Sequence, residues 1–173
     1  MSHFIPLILT LLFSPTFTFH GGERTPSETL PISSIHSQAT GQELFLKHAD
    51  HALNIMSEAA REMSVQGVAV VVFVPQEPDG TWISKMKVAG AMTNGSANFL
   101  AVAYSKAAEM ADTRQNSGNR KGDPLHGEFG YQGGVIEKVK AGYLMAVFSG
   151  ATGEQDTEIA VKGLEVVRKG FAN

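Results

Sequence analysis

The sequence predicts an α+β sandwich, a mostly antiparallel sheet of about five strands with helices packed on it. Three observations carry this. Apolar residues recur at helical spacing in three separate stretches, and short apolar or β-branched runs lie between them. The resulting order is helix, two strands, helix, two or three strands, helix.

The chain has 173 residues, which suits one compact domain with an N-terminal extension. Its formal net charge of -3 lacks the basic surplus of a nucleic-acid binder. With no cysteine, disulfides, thiolate nucleophiles, iron-sulfur clusters and cysteine zinc sites are excluded.

The first twenty residues contain an apolar run, Phe4 to Phe13, long enough for the core of a secretory signal and too short to span a bilayer. Residues 1–20 are therefore read as an export signal. The protein is then secreted or periplasmic, or cytoplasmic if the segment does not act as a signal. Gly21 to Thr40, rich in Ser, Thr, Pro and Gly, reads as a flexible leader, and residues 41–173 as the domain.

From Gly41 to Val65, Leu44, Phe45, Ala52, Ile55, Met56, Ala59, Ala60 and Met63 define the first helix. Val68 to Val74 has no polar alternation, as expected of a strand covered on both faces. A "PQEPDG" turn leads to Thr81–Val88, where Trp82, Met86 and Val88 alternate with Lys85 and Lys87; this is an antiparallel hairpin partner. Asn94 heads a formal glycosylation sequon but sits in a turn, and Ser96 is the expected N-cap of a helix reaching about Arg114. Strands are expected near Glu128–Tyr131, Gly134–Val139 and Tyr143–Ser149, the last apolar on both faces.

The final helix follows "SGATGEQD". Ile159, Ala160, Gly163, Leu164, Val166, Val167, Gly170 and Phe171 form its core side, opposite Lys162, Glu165, Arg168 and Lys169. Its N-terminal N–H groups invite an anion, but Glu154, Asp156 and Glu158 already complement the dipole there. Thr152 and Gln155 also fit a capping box that takes up the same donors. Capping is thus favoured over phosphate binding.

The stretch "SGATGEQDTEIAVKG" resembles the C-terminal signature of the GlcG/HbpS-like, or haem-degrading domain, family. "AAREMSVQGVAVVVF" is similar to its first helix and strand, and "AYSKAAEMA" to its second helix. The chain departs from the pattern at "KMKVAGA", which lacks the usual acid, and at the lengthened "PQEPDG" hairpin. The resemblance implies a profilin-like sandwich, self-association into a homo-oligomer, and haem as a cofactor. It also implies that the segment bearing His126 and Glu128 lies near the ligand.

Lys106 is the most informative single residue, because it falls inside the apolar stripe formed by Phe99, Leu100, Val102, Ala103, Ala107, Met110 and Ala111. A buried ammonium needs a partner. Either the head snorkels to the edge, or it meets a ligand carboxylate such as a haem propionate. His48 and His51 share a face of the first helix. One histidine suffices for haem iron, so His51, nearer the apolar face, is the first candidate axial ligand and metal site, His48 the second. His126 and Glu128 are further candidate ligands.

No Gly-x-Ser-x-Gly elbow, Walker loop or His-Glu-x-x-His occurs. The leading expectation is a haem-binding, sensing or degrading homo-oligomer, with no stable membrane span and no nucleic-acid partner. Two alternatives are an assembly module without a cofactor and an enzyme acting on a small metabolite. The last requires a cavity with convergent polar groups. A cavity beside Lys106 discriminates it from the module.

Overall fold

The computed structural model describes residues 32–76 and 80–171. The expected signal, the leader up to residue 31 and part of the "PQEPDG" turn lie outside the described residues. Seven elements follow in order: α1 (Ile32–Glu62), β1 (Gly67–Pro75), β2 (Ile83–Ala89), α2 (Phe99–Thr113), β3 (Gly134–Val139), β4 (Gly142–Ser149) and α3 (Gly153–Lys169).

One sheet of four antiparallel strands, ordered β2-β1-β4-β3, forms the middle layer. β1 is buried along its whole length and sits centrally, paired with β2 and β4. Each of its faces has its own cover, which explains the missing polar alternation. Ala69, Val71 and Phe73 meet α1 and α3, with Ala146, Phe148 and Ile159 in the same cluster. Val68, Val70, Val72 and Val74 meet α2 through Phe99, Ala103, Ala107 and Met110. Fully burying one such valine contributes about 1.5–3 kcal/mol. Phe73 stacks between Phe45 and Phe171, at ring-centroid distances of 6.2 and 5.9 Å, and so ties α1 and the segment after α3 to the central strand. Where α1 crosses α3, Gly163 leaves room for Met56: a Cβ there would lie 2.3 Å from Met56 Sδ.

Three boundaries differ from the sequence reading. α1 starts at Ile32, inside the stretch read as leader, since Ile32, Ile35 and Ala39 already carry helical spacing. The N-cap of α2 is Asn98, whose side chain accepts the Ala101 N–H, whereas Ser96 belongs to a turn held by Asn94. Glu128–Tyr131 is loop, so the sheet has four strands instead of about five.

That loop lies between α2 and β3 and is tied down by side chains from α2. Glu109, 1% exposed, accepts the Gly118 N–H at 2.8 Å, and the Phe129 N–H donates to Ser105 Oγ at 3.0 Å. Arg120 bridges Asp112 and Glu128. These bonds hold the segment as a loop where the sequence reading expects a fifth strand.

Candidate functional site

The site grows from a gap in the sheet. β3 begins at Gly134, opposite Val147, so among the described residues the outer edge of Phe148 and Ser149 has no strand beside it. The Phe148 N–H donates to Gly133 O at 2.9 Å. Its carbonyl accepts from Lys106 Nζ at 2.8 Å, so the ammonium takes the place of the next strand's N–H.

Lys106 reaches this point from the buried side of α2 and is 2% exposed. It also donates to Asp156 Oδ2 at 2.7 Å. Asp156, 3% exposed, lies in the first turn of α3, and its other oxygen accepts the Ala151 N–H at 2.9 Å. The α2 cation and the α3 anion therefore meet at the open end of the sheet. Gly133, at φ +119°, closes over them: a Cβ would stand 2.5 Å from both Lys106 Nζ and Asp156 Cβ.

Burial works against both charges. It lowers the Lys106 pKa from the ordinary lysine value, against the opposing attraction of Asp156. It raises the Asp156 pKa above the ordinary carboxylate value, against the pull of Lys106 and of the Ala151 and Gly150 N–H groups.

A cavity of about 580 Å³ opens beside this pair, within the size range of small-molecule sites. Lys106 and Asp156 are both in its wall, with Phe99 and Val102 of α2, Tyr131 and Gln132 of the loop, and Ser149, Gly150 and Ala151 of the turn before α3. Tyr131 stacks on Phe129 at 5.7 Å, and the two rings are 55% and 50% exposed, forming an aromatic surface at the mouth. The N-terminus of α3 is also there, but the capping box is present: Thr152 Oγ1 accepts the Gln155 N–H, and Gln155 Oε1 accepts the Thr152 N–H, both at 3.4 Å. These donors are not free for an anion.

Of the candidate site residues His48, His51, Lys106, His126 and Glu128, only Lys106 is in the cavity wall. The cation meets the carboxylate of Asp156 in place of the expected ligand carboxylate. It neither snorkels to the edge nor waits unpaired. His51 is exposed on α1, and His48, half-buried, lies against Gly170 at the end of α3. α1 covers the opposite face of the sheet from α2. His126 is exposed in the loop and outside the wall. Glu128 is a loop clamp: its carboxylate takes Arg120 Nη2 at 2.9 Å and the Leu125 N–H at 3.0 Å. Among the described residues, no three His, Asp or Glu side chains gather to hold a metal, and no helix is long and apolar enough to cross a membrane.

Asp156 is the residue that sequence reasoning missed. Its place in the first turn suits a dipole-complementing charge, yet it precedes Ile159, Ala160 and Gly163 by three, four and seven positions and so falls in the apolar stripe of α3. Opposite charges, each inside a buried helix stripe, were the available signal. Comparison with known protein families and with characterised proteins gives no match.

Proposed function

We propose that the protein binds a small, polar, uncharged metabolite in the cavity beside Lys106 and Asp156. The observation that carries this is a buried pair of opposite charges opening onto a cavity of about 580 Å³. A solely structural pair has no need of that space, and perturbed titratable groups in a concave wall mark candidate sites. The charge balance argues for the ligand class. Lys106 and Asp156 cancel, and Glu154 adds a negative charge to the wall, so an anion meets no net attraction.

Haem in its expected form fits this cavity poorly. Among the described residues no imidazole is in the wall, and the Lys106 cation is already matched by Asp156, leaving no spare charge for a propionate. The resemblance to the GlcG/HbpS-like family and the aromatic surface of Phe129 and Tyr131 are what still favour it. Export, suggested by Phe4–Phe13, and self-association belong to the same proposal. In favour of self-association, Trp82, Val88 and Tyr104, all exposed, border the edge strand β2 on its α2 side, where Tyr104 bonds Ser84 at 3.0 Å.

A screen of uncharged metabolites by amide chemical shift tests the reading. Binding should move Gln132, Ala151 and Glu154 and leave His51 still. Ligands that move only residues outside the cavity wall would overturn it. A haem titration run beside it should give no saturable shifted Soret band; such a band would restore haem as the ligand.

A further inference from the structure

We propose that Lys106 is an amine nucleophile, and that the ligand is an uncharged hydroxy-aldehyde or hydroxy-ketone held as an imine on Lys106 Nζ. This rests on the binding reading above and deepens it.

The geometry supplies each part. Among the described residues Nζ has two acceptors, Phe148 O and Asp156 Oδ2, so one of the three ammonium N–H bonds has no partner. A lysine becomes nucleophilic when burial disfavours its charge and a base stands within hydrogen-bond reach. Here the base is Asp156, at 2.7 Å. Gly133 packs against the nitrogen with backbone alone, where the Cβ of any other residue would stand 2.5 Å from Nζ. The polar wall suits hydroxyl groups: Gln132 lines it, and so does Asn94, whose Oδ1 is engaged by Ser96 and Ala97 while its amide N–H groups have no partner among the described residues.

The chemistry balances without a further reactant. Asp156 takes a proton from the ammonium, and the freed lone pair attacks the carbonyl carbon, forming the C–N bond as the C=O π electrons move to oxygen. A proton passes from nitrogen to that oxygen, giving a neutral carbinolamine. Asp156 returns its proton to the hydroxyl, which leaves as water while the nitrogen lone pair forms the C=N bond. The protonated imine then faces the Asp156 carboxylate as the ammonium did, so the buried charge is the same before and after. A carboxylate-bearing carbonyl such as a keto acid would add an anion beside Asp156 and Glu154, and so is the poorer substrate.

The test treats the full chain with glyceraldehyde, dihydroxyacetone or pyruvate, each with cyanoborohydride, and maps the labelled lysines by peptide mass. At limiting reagent, Lys106 should be labelled at least tenfold ahead of the exposed Lys121 by the two uncharged compounds, and more slowly by pyruvate. Lys106→Arg, which keeps the charge, should abolish this fast label. Surface lysines labelled first, with Lys106 untouched, would overturn the proposal. Pyruvate labelling Lys106 faster than the uncharged compounds would overturn the substrate class. Amide shifts at Gln132 and Ala151 without a covalent label would sink the imine and leave the binding reading standing.

Discussion

Lys106 on α2 and Asp156 on α3, 50 positions apart in the chain, meet at 2.7 Å with their side chains 3% and 5% exposed. This contact joins the two helix layers around the open end of the sheet. Removing charged groups from water is expensive, and their attraction repays it only when the remaining polar atoms are also bonded. Phe148 O and the Ala151 N–H meet that condition in part.

Breaking the pair should cost more than deleting it. Lys106→Met leaves Asp156 buried beside an apolar chain, and about 3–5 kcal/mol of stability should be lost. The double variant Lys106→Met/Asp156→Leu removes both charges and should recover most of that loss. Urea unfolding of wild type, single and double variants measures it. A double variant no more stable than Lys106→Met would show that the polar contacts, and not charge burial, dominate.

The pH dependence follows from the directions of the two shifts. Asp156 has a raised folded pKa, so its stabilising contribution is full below 3.8 and is lost as pH rises through the folded value. Lys106 has a lowered folded pKa, so its contribution is full above 10.5 and is lost as pH falls through the folded value. Between them neither contributes. The stability of wild type relative to the double variant should therefore pass through a minimum at intermediate pH, read from unfolding curves taken across the range. A maximum there would mean that attraction outweighs burial.

Gly133 should be far less replaceable than Gly95, although both have positive φ, +119° and +87°. At Gly95 nothing lies within 4 Å of an added Cβ, and Gly95→Ala carries backbone strain alone, of about 1 kcal/mol. Gly133→Ala adds a collision with Nζ and with Phe148 O, 2.9 Å away, and should cost a further ~1–3 kcal/mol by displacing the lysine. Thermal unfolding of the two variants gives the difference, and equal losses would mean that the Lys106 end of the site shifts freely.

Much of the fold was legible because burial on one or two faces leaves a period in the sequence. The unbroken apolar run of β1 and the alternation of Trp82, Met86 and Val88 against Lys85 and Lys87 each predicted the side that the residue occupies. Lys85 and Lys87 do turn to α1, where they meet Asp50 and Asn54. The Glu128–Tyr131 segment misled because Phe129 and Tyr131 alternate like strand residues, while the groups that hold it as a loop, Ser105 and Arg120, lie outside that window. The site was half legible. Lys106 stood out as a charge in an apolar stripe, but pairing is a long-range property, and Asp156 also suited the local role of an acidic first turn. Helical spacing ranks His51 above His48 on the first helix, but it says nothing of the Lys106 side of the sheet, which α1 does not cover.

The capping box offers an independent check on the turn before α3. Thr152→Ala removes the acceptor for the Gln155 N–H and should cost about 1 kcal/mol, whereas Thr152→Ser should stay within a few tenths of wild type. Because the same turn carries the Ala151 N–H to Asp156, Thr152→Ala should also loosen the cavity and weaken metabolite binding by more than its own loss of helix stability explains.

The histidine variants separate the two ligand readings most sharply. His51 is exposed on the α1 face, His48 packs at Gly170, and His126 stands in the loop outside the cavity wall. His48→Ala, His51→Ala and His126→Ala should each leave the affinity of an uncharged cavity ligand within about twofold, less than the ~1 kcal/mol typical of one lost hydrogen bond. Titration calorimetry with the best ligand from the metabolite screen measures this. If His126→Ala alone weakened binding tenfold, the loop would have to fold over the cavity in the bound state, and the site would extend beyond the walls that Lys106 and Asp156 define.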